Sequence, residues 1–234
     1  MKLTIVEAGD VPDSLSDRFG PYAKMFGDMF DRLGAAYDYD VVRVHHGAPL
    51  PDPARLEAIL LPGSPAGVYD NHLAWMAPLR DFIRGAYAAA IPMVGICFGH
   101  QIMADALGGD VRKSEKGWGL GRHSYAVKNP ALGGGRATLS VACSHQDQVI
   151  VPPKEAEIIL GSDFTPNAGL AYRNGAALSF QPHPEFLDEY TLALAELRRG
   201  KAPDAVVERA VASMATPSDS PVVAGHIAAF FQRA

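Results

Sequence analysis

The chain has 234 residues, enough for one large α/β domain with a real hydrophobic core. With 48% hydrophobic, 20% charged and 9% aromatic residues, it cannot be wholly disordered, collagenous or a coiled coil. Lys and Arg number 21 against 26 Asp and Glu, a net charge of −5 without a long run of either sign, so neither nucleic acid nor an anionic membrane surface is an expected partner.

Leu3-Thr4-Ile5-Val6 is a short β-rich run, and Glu7 cuts the apolar stretch well short of a signal-peptide core, so no targeting segment is expected. Asp10 to Asp17 reads as a polar turn. Phe19, Tyr22, Met25, Phe26, Met29, Phe30 and Leu33 then recur at three- and four-residue steps, which predicts a helix with one packed face, stopped by Gly34. Tyr37 to Val44 alternates as a second strand. Ala58-Ile59-Leu60-Leu61 has the continuous apolar character of a parallel strand covered on both faces, and Pro62-Gly63-Ser64-Pro65 ends it. A helix through Leu73 to Ala90 precedes a further buried strand, Pro92 to Ile96, which runs into Cys97 and a helix ending at Leu107-Gly108-Gly109. The apolar region Ala86 to Gly99 contains Pro92 and falls short of the roughly 20 residues of a membrane helix. Strand, helix, strand, helix predicts an α/β fold with a mostly parallel, doubly wound sheet.

Beyond Gly109, short β-like pieces at Tyr125 to Lys128, Gln148 to Val151, Glu157 to Leu160, Leu170 to Tyr172 and Ala177 to Phe180 predict added strands, some antiparallel. From Leu187 onward two or three helices follow, broken at Gly200 to Pro203 and Pro217 to Pro221. No internal repeat or linker interrupts the chain, so residues 1–234 read as a single domain. Cys97 and Cys143 cannot build a disulfide framework, and a reducing cytoplasm fits them. Cys143, in a strand-like run, reads as a small buried hydrophobe. His45, His46, His123 and His145 lack the cysteine or carboxylate spacing of a metal site. Gly117-Trp118-Gly119-Leu120-Gly121 lacks the lysine of a phosphate loop and reads as a turn with a packed indole.

The chemistry concentrates in Gly95-Ile96-Cys97-Phe98-Gly99-His100-Gln101. A sharp strand-to-helix turn leaves no room for side chains beside its central residue, hence glycine on both flanks. The helix amino terminus behind Cys97 favours an anion, the form in which a thiol is a nucleophile. His183, in Gln181-Pro182-His183-Pro184-Glu185, is the best candidate for the proton carrier, and Glu185 two residues on lies to the same side of an extended stretch, where it orients the imidazole. The amides of Ser64 and Phe98 are candidate donors to an oxyanion if the turn after Leu61 lies beside the elbow.

These residues resemble the class I, or triad, glutamine amidotransferases, whose signatures are a Gly-x-Cys-x-Gly-x-Gln elbow and a late His-Pro-Glu, here Gly95 to Gln101 and His183-Pro184-Glu185. The resemblance covers most of the chain, to about Phe186, and implies a flavodoxin-like sheet of that family's type. It implies Cys97 as nucleophile, His183 as general base and acid, Glu185 as its partner, and Ser64 and Phe98 as oxyanion-hole amides. Gln101 falls where the family has a side chain that holds glutamine, and Ser144-His145-Gln146-Asp147 matches a loop whose backbone contacts the amino-acid end of the substrate. Many relatives carry glycine at the position of Ser64. The implied reaction proceeds through a γ-glutamyl thioester to glutamate and ammonia and needs no metal or organic cofactor.

Three functions stay open: hydrolysis of glutamine, with a separate synthase subunit as acceptor of the ammonia; hydrolysis of a γ-glutamyl peptide or conjugate by the same triad; and a non-catalytic regulatory or binding subunit. A related type of cysteine hydrolase with histidine directly after the nucleophile is disfavoured by Phe98.

Overall fold

The computed structural model describes residues 1–233. Its first half alternates strands and helices: β1 (Lys2–Glu7), α1 (Asp13–Phe19), α2 (Tyr22–Arg32), β2 (Asp38–Arg43), β3 (Ala58–Leu61), α3 (Met76–Ala88), β4 (Met93–Ile96) and α4 (Phe98–Ala106). The second half holds β5 (Asp110–Lys113), β6 (Gly119–Val127), α5 (Pro130–Gly133), β7 (Thr138–His145), β8 (Asp147–Val151), β9 (Ala156–Gly161), β10 (Gly169–Tyr172) and β11 (Ala177–Phe180). Three helices follow, α6 (Asp188–Glu196), α7 (Asp204–Ser213) and α8 (Ser220–Gln232). Nine strands form one sheet in the order β2-β1-β3-β4-β11-β10-β9-β6-β7, and β5 pairs with β8 in a separate ribbon. The run from β2 to β11 is parallel, and the strands beyond it are antiparallel.

Alternation along the parallel strands produces the two-sided core. Leu3, Ile5, Leu60, Val94 and Ile96 face Phe26, Met29 and Phe30 of α2 and Ile227 and Phe231 of α8. Val6, Ile59, Leu61 and Met93 face the other way, onto Leu79 and Ile83 of α3 and Ile102 and Met103 of α4. Each such fully buried side chain contributes about 1.5–3 kcal/mol through removal of its apolar surface from water. This is the doubly wound arrangement, extended by antiparallel strands and closed by C-terminal helices.

Local departures from the sequence reading have identifiable causes. The polar turn expected at Asp10 to Asp17 is in large part helix α1, none of whose residues is buried, so no apolar period marks it. The helix expected to run through Phe19 is split from α1 by Gly20, at φ 73°, and Pro21. β6 begins at Gly119 rather than near Tyr125. Gly121 in that stretch has φ 79°, and a Cβ there would lie 2.6 Å from the α-carbon of Ala210, so this glycine admits α7 rather than marking a loop. No helix among the described residues is long and apolar enough to cross a membrane.

Placement of β11 beside β4 positions the site. The two strands are parallel, and the Cys97 amide donates to the Phe180 carbonyl at 2.8 Å, so the segment after β11 and the elbow after β4 leave the sheet side by side. The turns after β1 and β3 leave by the same edge, where open α/β sheets bind ligands.

Candidate active site

Cys97 sits between β4 and α4 with φ 53° and ψ −101°, a left-handed conformation rare for a residue with a Cβ. Its flanking glycines are sterically required. A Cβ on Gly95 would approach the Gly99 carbonyl to 2.5 Å, and one on Gly99 would come within 2.0 Å of the Leu61 carbonyl oxygen. The Gly99 amide donates to the Pro62 carbonyl at 3.1 Å, which fixes α4 against the turn after β3. The amides of Phe98, first in α4, and of Ser64 are not engaged in any hydrogen bond among the described residues, which leaves both free for an oxyanion. Ser64 does not adopt a positive φ, and its hydroxyl donates to the Ala8 carbonyl at 2.8 Å while accepting from the Ala66 amide at 3.1 Å. A side chain at this position therefore staples the turn instead of straining it.

His183 leaves β11 after Gln181 and Pro182, its amide donating to the Ala142 carbonyl at 2.8 Å. Imidazole Nδ1 lies 2.7 Å from Glu185 Oε1, and the ring stacks on Phe186 with centroids 3.8 Å apart and planes 8° apart. Burial by itself pushes the imidazolium pKa down, but the Glu185 carboxylate and Cys97 outweigh it and raise His183 to about 10. The imidazolium is thus the form held at neutral pH. Gly63 provides the space: a Cβ there would stand 3.0 Å from His183 Cε1, 3.9 Å from Nε2 and 3.8 Å from the Cβ of Cys97. The fold thus brings the thiol of Cys97, the imidazole of His183 and the carboxylate of Glu185 together.

A cavity of about 290 Å³ opens at Cys97, and Gln101 and Ser144 to Asp147 line it. Gln101 is committed within the protein through its Nε2, which donates to the Asp147 carbonyl at 2.8 Å and to Gln181 Oε1 at 3.2 Å and so braces the loop. His145 is held by its Nδ1 at 3.1 Å from the Asp147 carbonyl, and burial pushes its pKa down to about 3, so it stays neutral. The Gln146 carbonyl accepts from the Ser114 amide at 3.0 Å. Ser144 Oγ is buried without a partner among the described residues. Burial raises the Asp147 carboxyl pKa, and burial together with Asp147 raises the Tyr69 hydroxyl to about 12.

Sequence reasoning missed several residues of this wall: Tyr69, Asp70, Lys113 and Arg198, as well as Gly63 and Phe186 beside His183. Each lies outside the signatures, Lys113 at the end of β5 and the others in loops or turns. Trp118 is on the wall too, with the Arg198 guanidinium 4.9 Å above its ring, and it packs against the apolar cluster that holds Leu120, Ala195, Val207 and Ala210. Cys143 is buried away from this cavity, as expected. His45 and His46 have no metal-site spacing in the sequence, yet the fold brings a carboxylate beside them. Asp10, after β1, lies 3.1 Å from His45 Nε2 and 2.8 Å from His46 Nε2, and the three groups hold their ligand-type atoms within 4.8 Å of one another. Thirty-odd residues of intervening chain concealed that juxtaposition.

A family profile described as glutamine amidotransferase class-I matches residues 22–191. A glutamine amidotransferase-like protein of Schizosaccharomyces pombe is 26% identical over 97% of each chain. GMP synthase (glutamine-hydrolysing) of Thermus thermophilus is 31% identical over 66% of this chain but only 31% of its own length. The crystal structure of a glutamine amidotransferase from Methylobacillus flagellatus superposes with a TM-score of 0.74 at 21% identity, covering 99% of this chain and 94% of that one.

Proposed function

The chain belongs to the class-I glutamine amidotransferase family, and from that premise we propose that it hydrolyses the side-chain amide of glutamine through a thioester on Cys97. The observation that carries this reading is the 2.7 Å contact of Glu185 with His183, whose imidazole lies beside the thiol of Cys97, itself on the wall of a cavity of about 290 Å³.

Paired with the imidazolium, the Cys97 thiolate adds to the amide carbon, and the amides of Ser64 and Phe98 receive the oxyanion. As the carbon–nitrogen bond breaks, His183 gives its proton to the leaving nitrogen and ammonia departs. Water then gives a proton to His183 and adds to the thioester carbon. The carbon–sulfur bond breaks, releasing glutamate and returning Cys97 as a thiolate beside the imidazolium. Glu185 keeps Nδ1 occupied throughout, so that Nε2 is the nitrogen exchanging protons. Gln101 and the Ser144 to Asp147 corner hold the amino-acid end.

Residues 1–234 act as one domain in this reading. The Thermus thermophilus GMP synthase has a similar stretch in 31% of its length, and a separate synthase subunit is the proposed acceptor of the ammonia. Two free, buried cysteines suit a reducing compartment, the cytoplasm.

Ammonia release from glutamine by the purified chain, coupled to mass spectrometry after labelling with a glutamine-like electrophile, tests the proposal. Release that disappears in Cys97→Ala, with one adduct on Cys97 in the parent chain, is the expected result. Release that persists in the variant overturns it.

A further inference from the structure

The turns that follow β1 and β2 bring three ligating side chains together. Val44 to His46 form a single 3₁₀ turn closed by Gly47 at φ 83°, and its two consecutive imidazoles stand edge to face with ring centroids 4.2 Å apart. Asp10, in the turn after β1, meets both: Oδ1 lies 3.1 Å from His45 Nε2, and Oδ2 lies 2.8 Å from His46 Nε2. The ligand-type atoms of all three groups lie within 4.8 Å of one another. The Glu7 carboxylate is no part of this cluster, because Arg43 Nε at 3.2 Å and the Ala23 amide at 2.9 Å already hold it.

The tautomer of His45 singles this cluster out. Its Nδ1 lies 2.9 Å from the main-chain carbonyl oxygen of Glu7, and a carbonyl only accepts, so Nδ1 carries the proton. In the neutral ring Nε2 is then a bare lone pair. Here that nitrogen is buried, has no hydrogen bond among the described residues, and stands 3.1 Å from a carboxylate oxygen. Two lone pairs at that distance repel, and only a cation between them removes the repulsion. A proton serves one nitrogen, whereas a metal ion serves both imidazoles and the carboxylate at once. An imidazole with one nitrogen tied to a carbonyl and the other free is also how histidine ligands are held in metal sites.

We propose that Asp10, His45 and His46 bind a divalent transition-metal ion, zinc above all, which clasps the turns after β1 and β2 at the edge of the active site. Two nitrogens and a carboxylate suit zinc and its neighbours, whereas magnesium and calcium take oxygen ligands. Zinc bonds of about 2.0–2.1 Å in a tetrahedron put ligand atoms about 3.3 Å apart, so the two contacts need to open by no more than about half an ångström. Asp10 and His46 are each 57% exposed, so an ion enters from solvent and solvent completes its shell. Asp10 also lines a cavity of about 270 Å³ that Cys97 and His183 share; Arg198 and Lys201 line it too, yet neither pairs with Asp10 among the described residues. The clasp bears on the corner that presents the Ser64 amide, because Ser64 Oγ donates to the Ala8 carbonyl and a Cβ on Gly9 would stand 2.5 Å from Pro65 Cδ. None of the three ligands takes part in the thioester chemistry, and the proposal stands apart from the amide-hydrolase reading.

The test is calorimetric titration of zinc chloride into the untagged Cys97→Ala chain, from which the competing thiolate is gone. A single ion should bind with a Kd of about 10 µM or tighter. His46→Ala and Asp10→Asn, made in the same background, alter exposed side chains, and each should weaken binding about tenfold or more. His72→Ala, which removes an exposed histidine elsewhere, should leave the affinity unchanged. Zinc at about a hundredfold excess over Kd should raise Tm by about 5 °C or more, an increase that magnesium does not produce and His46→Ala abolishes. A Kd weaker than about 10 µM in the Cys97→Ala chain overturns the proposal. Tight binding that survives both His46→Ala and Asp10→Asn overturns it as well, since the ion then sits elsewhere.

Discussion

The ring of Phe186 lies flat on the imidazole of His183, 3.8 Å between centroids and 8° between planes, while Glu185 grips the edge of the same imidazole at 2.7 Å. Face and edge together leave His183 one orientation, with Nε2 toward Cys97. An aromatic face also favours the charged over the neutral ring. Phe186→Leu keeps most of the volume and should cost no more than about 1.5 kcal/mol of stability. Its kcat should fall by about tenfold with little change in KM, since an orienting contact acts on the reacting geometry. The alkaline limb of its pH–rate profile should move to lower pH, and Phe186→Tyr should restore both. A Phe186→Leu profile that superposes on the parent's shows the stack to be packing only.

Stability should respond to pH in opposite senses on the two sides of neutrality. His183 has a folded pKa raised to about 10 over an unfolded value near 6.5, so the stability it adds is complete below about pH 6.5 and is lost as pH rises toward 10. Glu185→Gln removes the main source of that rise. The deficit of the variant against the parent, read from denaturant midpoints, should be largest near pH 6 and should shrink steadily up to pH 10. His100 and His145 behave in the reverse way. Burial pushes each down to about 3, so both fold as neutral rings, and stability should drain away below about pH 6.5 as the unfolded chain takes up their protons. A Glu185→Gln deficit independent of pH would show that the carboxylate does not hold a charged imidazole.

The elbow and the His-Pro-Glu were legible because backbone constraints write themselves as short, local patterns: glycines where a Cβ would strike Leu61 or Gly99, and a two-residue step that puts Glu185 beside His183. The continuous apolar runs of β3 and β4 were legible for the same reason, since a strand buried on both faces has no polar position. Helix α1 left no such pattern because it buries nothing. Arg198, Lys201, Tyr69 and the Asp10 pairing with His45 and His46 depend on how separate loops converge at the strand ends, and no local spacing encodes that. Ser64 carries its Cβ without strain, and the position where a Cβ would crowd the site is its neighbour Gly63, against the imidazole.

That neighbour yields the sharpest steric test. A Cβ at residue 63 would be 3.0 Å from His183 Cε1, closer than an unstrained contact, and the ring cannot retreat because Phe186 covers its face and Glu185 holds its edge. The backbone of Gly63 does not have a positive φ, so alanine is acceptable to the chain itself. Gly63→Ala should therefore fold with a denaturant midpoint close to the parent's yet lose about tenfold or more in kcat, the cost of a displacement of a few tenths of an ångström at the proton carrier. Gly99→Ala is the contrasting case. Its added carbon would stand 2.0 Å from a main-chain carbonyl oxygen in β3, which cannot swing aside, so that variant should fail to yield folded protein. Circular dichroism and turnover measured on both variants separate the two kinds of clash, and a Gly63→Ala enzyme of undiminished rate would mean that the imidazole is not confined as its neighbours indicate.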